Sequence, residues 1–263
     1  MIQNKKLEIV HSKKTRYILP NILTIAGVCL GISSIKFAID LNFRLAVIFL
    51  ILAAILDALD GRIARLIKGT SDFGKELDSL TDFVSFGIAP AFIIYFWELI
   101  NYGKIGWAVT LIYSVCCVLR LARFNLTKYE DTEIWKQNYF EGVPSPIGAI
   151  LILLPLILNL SEINYTIENN FFIPIYTLII AVLLISKIPT YSFKKIKINP
   201  KITVFILLGI SISLVSLIFF TFKTLIVFGA LYILSIPLAL FTFNKKRKIA
   251  LEENSEEDHE DIL

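Results

Sequence analysis

Four aspartates carry the chemistry in this sequence. They lie in LDALDGRIARLIKGTSDFGKELDSLTDFVSFGIAP, residues 56–90, with Asp57 three residues before Asp60 and Asp78 four before Asp82. On helices, either spacing puts both carboxylates on one stripe. The connection between the pairs is short, so the two helices can be antiparallel neighbours whose acids converge near one end. Converging carboxylates repel one another unless a cation sits among them. His11 and His259 lie near the chain ends, and Cys29, Cys116 and Cys117 are inside apolar runs. An oxygen-only donor set suits Mg²⁺ or Mn²⁺. Two such ions about 3.5–4 Å apart would form a phosphoryl-transfer centre.

The neighbours of the aspartates fit that chemistry. Gly61, Ala64 and Gly74 let backbones and a bulky diphosphate come close. Arg65 offers a planar fork to phosphate oxygens. Blander roles compete at individual positions. A single Asp near a helix end is often a cap, Ser71 and Asp72 could cap the second helix of the pair, and Arg62, Lys68, Lys75 and Glu76 suit the headgroup level. Isolated caps do not account for the whole pattern.

The elements that must hold these residues are membrane helices. Hydrophobic residues make up 56% of the 263, 20 are Phe, and mean hydropathy is +0.71, which excludes a soluble globule, a disordered chain and a disulfide scaffold. A spanning helix takes about 20 apolar residues. Eight candidate spans are expected at about 17–39, 43–66, 73–99, 105–124, 144–160, 171–188, 200–220 and 224–243. These runs are too long and too uniformly apolar for barrel strands. Positive charge gathers at Lys5, Lys6, Lys13, Lys14 and Arg16, at Lys187, Lys194, Lys195, Lys197 and Lys201, and at Lys245, Lys246, Arg247 and Lys248. The alternate loops are poor in it. Both termini, and the loops 67–72 and 125–143, are thereby expected in the cytoplasm. The net charge of +4 is an orientation signal with some attraction to anionic lipid and does not argue for nucleic acid. The expected organisation is a basic tail over 1–16, one transmembrane catalytic domain over 17–243, and a charged, disordered tail over 244–263.

Asp57, Asp60, Gly61, Ala64, Arg65, Gly74, Asp78 and Asp82 match D-x2-D-G-x2-A-R-x8-G-x3-D-x3-D at every position. In this the chain resembles the CDP-alcohol phosphotransferases, integral membrane enzymes of phospholipid synthesis. The resemblance implies an all-α fold with a six-helix core, usually homodimeric, and a site open to the cytoplasm. It implies that Asp57, Asp60, Asp78 and Asp82 hold two divalent metals, and that Asp82 also acts as general base. It further implies that Gly61, Arg65 and the Ser71 hydroxyl contact the CDP-linked donor.

The segments PNILT at 20–24, FGKELDSLTDFVSFGIAPA, RLARFN at 120–125 and FEGVPSP at 140–146 resemble the phosphatidylserine synthase branch of that family. The expected reaction moves phosphatidyl from CDP-diacylglycerol to L-serine, releasing CMP, in a bacterial inner membrane. Arg120 and Arg123, beside Asn125, could take the serine carboxylate or a donor phosphate; equally they could be positive-inside anchors. Asn21 and Thr24 could line the nucleotide pocket or cap the first helix, and Pro144 and Pro146 set a turn around Ser145. The rivals are a family member making phosphatidylglycerophosphate or an inositol lipid, and a cation transporter. A transporter would spread its acids over both halves of the chain, whereas here they are confined to one helix pair. The last two spans exceed the six-helix core and receive no role from the sequence.

Overall fold

The computed structural model describes residues 18–67, 69, 71–126, 139–161, 171–191 and 200–260. The fold is all-α, apart from two three-residue strands. Helix α1 spans Ile18–Ile39 and α2 spans Phe43–Leu66. A single long rod follows, composed of α3 (Asp72–Asp82), a π-helical segment (Phe83–Ile88) and α4 (Ala89–Trp97). A 3₁₀ turn at Leu99–Tyr102 leads into α5, Gly103–Leu126. Strand β1 (Tyr139–Glu141) precedes α6 (Ser145–Ile152) and α7 (Leu154–Leu160). Helix α8 (Phe172–Ile185) and strand β2 (Pro189–Tyr191) come next, then α9 (Pro200–Phe219) and α10 (Thr221–Glu260).

Burial along α1 runs opposite to that of a soluble helix. Its inward residues are Pro20, Thr24, Gly27, Gly31, Ser34 and Ala38, while Ile18, Leu19, Ile22, Ile25, Ile32 and Ile39 point outward. Small residues inside and branched apolar ones outside are what a lipid solvent demands. The outward apolar surface continues over Leu111, Leu119, Phe205, Leu234 and Phe241. The protein is a polytopic membrane protein. At Gly31 an added Cβ would sit 2.8 Å from Ser85 Oγ and 3.2 Å from Ser85 Cα. A side chain there would force α1 away from the π segment.

Besides Pro237 inside α10, Pro90 and Pro155 break the backbone ladder inside the apolar layer, and a tyrosine repairs each of these last two breaks. Pro90 has no N–H for the carbonyl of Phe86, which accepts instead from the Tyr113 hydroxyl at 3.1 Å. Pro155 likewise leaves the carbonyl of Leu151, and the Tyr176 hydroxyl donates to it at 2.6 Å. A backbone acceptor abandoned in this layer would cost several kcal/mol.

Among the described residues, 18–39, 72–97, 99–126 and 221–246 are each long and apolar enough to cross a membrane. The other expected spans do not combine that length with that apolarity in one unbroken helix, for identifiable reasons. Helix α2 carries Arg44, Asp57, Asp60, Arg62 and Arg65, and the run 145–160 is split at Leu153 ahead of Pro155. Helices α8 and α9 have shorter apolar stretches, Phe172–Ile185 and Thr203–Phe219. Strands β1 and β2, too short to leave an alternating pattern, pair antiparallel with Tyr139 opposite Tyr191. They gather the chain after α5 and after α8 at one end of the molecule. Helix α10 reaches the same end, where Tyr139 donates to Thr242 at 3.2 Å and packs edge-on against Phe243. It does not stop near 243, and its backbone is helical to Glu260 where a disordered tail is expected. Lys, Arg, Ala, Leu and Glu dominate 245–253 and are good helix formers. The expected basic tail 1–16 lies outside the described residues, as do Lys68, Lys194, Lys195 and Lys197 and the loop positions 127–138 and 162–170.

Candidate metal centre

The site is assembled where α2 ends and α3 begins. Ser71 caps α3, its Oγ accepting from the Gly74 N–H at 3.0 Å. The cap fixes how the chain enters α3 and hence the direction of the Asp78 and Asp82 stripe. A Cβ on Gly74 would press on Ser71 Oγ at 3.1 Å and on Asn21 Oδ1 at 3.2 Å. Asn21, Ser71 and Gly74 therefore meet where the start of α1 faces the α2–α3 turn.

Asp57, Asp60 and Asp78 each present one carboxylate oxygen, and these oxygens lie within 4.8 Å of one another. Asp60 is 3% exposed. Its Oδ2 accepts a 2.6 Å hydrogen bond from the Thr24 hydroxyl, which also lies 3.0 Å from the Pro20 carbonyl. Thr24 thus reaches the acidic cluster by holding one of its members. Asp82 stands a turn beyond the triplet, its carboxyl within hydrogen-bonding reach of that of Asp57. Its Oδ1 is buried without a partner among the described residues. The π segment starts at the next residue. Such segments widen a helix locally and recur at functional sites.

Gly61 leaves space in front of the carboxylates. A Cβ there would meet only Arg65 Nη1, at 3.7 Å. Arg65 itself is exposed and close enough to Asp78 for their charges to interact. Four acids without His or Cys, one of them with an unused buried oxygen, make a donor set that fits a divalent cation.

On the opposite flank, Arg120 is 8% exposed and donates through Nη1 to Ser145 Oγ, while its Nε is buried without a partner among the described residues. Its charge is within interaction range of Asp82. Arg123 points elsewhere, donating to the carbonyls of Ile185 at 2.9 Å and Ser186 at 3.2 Å, where it caps the end of α8. Asn125 donates to Ser79 Oγ at 2.9 Å, tying α5 to α3. Arg120 is the member of this trio that faces the acids. Sequence reasoning missed the Thr24–Asp60 bond and the buried Ser85. Their only trace is a hydroxyl residue at an inward position of an apolar run.

Residues 17–186 match the model of the family described as CDP-alcohol phosphatidyltransferase. The chain belongs to that family. A Helicobacter pylori protein named CDP-diacylglycerol–serine O-phosphatidyltransferase is 36% identical over 221 residues, 83% of this chain and 89% of its own. A Mycobacterium leprae protein of the same name is 34% identical over 224 residues, 85% of this chain and 74% of its own. One from Bacillus subtilis is 33% identical over 177 residues, 67% of this chain and 92% of its own. The family match ends at Ser186, so α9 and α10 lie beyond it.

Proposed function

We propose that this chain is a phosphatidylserine synthase, transferring phosphatidyl from CDP-diacylglycerol to the hydroxyl of L-serine and releasing CMP. The observation that carries the reading is the meeting of the Asp57, Asp60 and Asp78 oxygens within 4.8 Å. The names of the bacterial relatives support the choice of acceptor.

Asp57, Asp60, Asp78 and Asp82 would hold two divalent ions, Mg²⁺ or Mn²⁺, which when bound supply Lewis-acid neutralisation of the donor diphosphate. Thr24 keeps Asp60 turned toward its neighbours. Gly61 leaves room for the diphosphate, Arg65 offers its fork to a phosphate oxygen, and Asn21 and Ser71 border the nucleotide side. The serine oxygen attacks the phosphorus that bears diacylglycerol, and the bond from that phosphorus to the oxygen bridging toward CMP breaks. Asp82 accepts the hydroxyl proton at its free Oδ1. Arg120 faces the acceptor, while Arg123 and Asn125 hold the surrounding frame. Positioning contributes more to rate here than proton abstraction, because a carboxylate beside cations is a weak base.

The acyl chains remain in lipid while the polar head enters between α2 and α3. Eight spans, both termini in the cytoplasm of a bacterial inner membrane, and a homodimer complete the reading, with 1–16 and 244–263 as tails to a catalytic domain over 17–243. Purified protein should release CMP from CDP-diacylglycerol only with serine and a divalent ion present. Asp78→Asn should lower that rate by about 10²-fold or more, a barrier change of about 2.7 kcal/mol. Full activity in excess chelator refutes the metal reading. Preference for glycerol 3-phosphate or an inositol phosphate refutes the acceptor and leaves the family standing.

A further inference from the structure

Across from the acidic wall, α5, the start of α6 and α10 bring a second set of buried polar side chains together around Arg120. The floor of this cluster is α5 and the start of α6. Arg120 donates from Nη1 to Ser145, and its Nε–H is buried with no acceptor among the described residues. Cys117 Sγ packs against the π segment, 3.2 Å from where a Cβ on Gly87 would lie, which sets this floor directly beside Asp82. The roof is α10, packed on α6, α7 and β2. From it Tyr232 reaches into range of the Arg120 charge, and the Tyr232 hydroxyl is buried with no close hydrogen-bond partner among the described residues. The nearest acceptor is the Thr190 hydroxyl of β2, which itself donates to the Gly142 carbonyl at 2.9 Å and can take a long bond from Tyr232.

Two buried donors within electrostatic range of each other, the Arg120 Nε–H and the Tyr232 O–H, therefore lack a close acceptor among the described residues, and only Tyr232 has a distant one, in Thr190. Buried donors that lack partners cost about 1–3 kcal/mol each, so their persistence marks a ligand position. A planar guanidinium beside a neutral hydroxyl matches one carboxylate, with an oxygen for each donor. The Asp82 Oδ1 is the unpartnered acceptor at the other end. A small molecule with a carboxylate at one end and donor groups at the other satisfies all three atoms.

We propose that Tyr232 of α10, together with Arg120, forms the receptor for the carboxylate of an amino-acid acceptor. This rests on the serine-transfer reading above. It gives a role to a helix beyond the family match, namely selection of an acceptor bearing a carboxylate. Neither residue touches the carboxylate triplet, so the receptor governs acceptor affinity and leaves donor binding alone.

The test is steady-state CMP release by the full-length protein in detergent micelles, comparing wild type with Tyr232→Phe. Loss of one hydrogen bond to a charged group should raise the KM for L-serine about tenfold. The KM for CDP-diacylglycerol should stay within about twofold, because no donor contact is removed. Serinol, which replaces the carboxylate by CH₂OH, separates a receptor from a packing role. As acceptor, or as competitor of serine if it is not turned over, it should bind both proteins equally. Tyr232→His restores a ring donor and should recover serine affinity relative to Tyr232→Phe. An unchanged serine KM, or an equal loss with serinol, overturns the receptor. If Tyr232→Phe does not survive purification, its serine KM is read in membranes that contain it. A wild-type protein that releases no CMP with serine overturns instead the reading on which this one rests.

Discussion

Thr24→Val isolates the role of a residue that touches one carboxylate of the cluster. The substitution keeps the branched shape on α1 and removes the hydroxyl that lies 2.6 Å from Asp60 Oδ2. Asp60 is 3% exposed, so water does not replace the lost donor. A hydrogen bond to a charged group contributes about 1.5–3 kcal/mol. Removing an outer partner of a ligating carboxylate commonly weakens metal affinity about 10–100-fold. At 1.4 kcal/mol per decade, that is about 1.4–2.8 kcal/mol, and the two estimates agree. The assay is CMP release titrated with Mn²⁺ or Mg²⁺ at saturating CDP-diacylglycerol and serine. The half-saturating metal concentration should rise about 10–100-fold, with kcat restored to within about threefold at high metal. Thr24→Ser should stay near wild type. An unchanged metal titration, or a loss of kcat that no metal concentration restores, would refute the argument that Thr24 works through Asp60.

Two further outcomes concern the scaffold. Gly31→Ala puts a methyl 2.8 Å from Ser85 Oγ and 3.2 Å from the Ser85 backbone; as overpacking it should cost about 1–3 kcal/mol, read as a lowered melting temperature in detergent. Should it melt with wild type, α1 and the π segment are not held at the described spacing. Tyr176→Phe should destabilise by about 0.5–1.5 kcal/mol, because it removes the hydroxyl donor to the Leu151 carbonyl and leaves that carbonyl the Leu153 N–H alone. A neutral result there would mean that another group takes the carbonyl.

The sequence exposed the acidic pattern because charges within apolar runs are rare and their spacing maps directly onto helix faces. It marked α1, α2, α5 and α8 to within a few residues, since a long apolar run bounded by polar residues has little freedom to be anything else. It did not reveal how the third run divides. The π segment at 83–88 arises from packing against α1, with Ser85 meeting Gly31, and no local composition announces that contact. The break at Leu153 was written in Pro155, but the partner that makes it tolerable, Tyr176, is on another helix. Likewise Arg120 and Arg123 look equivalent in RLARFN. Three residues is most of a helical turn, yet one guanidinium faces Ser145 and Asp82 while the other caps α8. Only the neighbours distinguish them.

The π segment buffers reading frame against catalysis. A π turn takes up one residue more than the α turn it replaces. Deleting one residue between Phe83 and Ile88 lets the rod close into regular α-helix with α3 and α4 in nearly the same relative phase, so the Asp78 and Asp82 stripe still faces α2. An α-helix turns about 100° per residue. One residue deleted inside α3, between Asp78 and Asp82, has no such slack and carries one acid off the stripe. Single-residue deletions should therefore cost turnover far more in α3 than in the π segment.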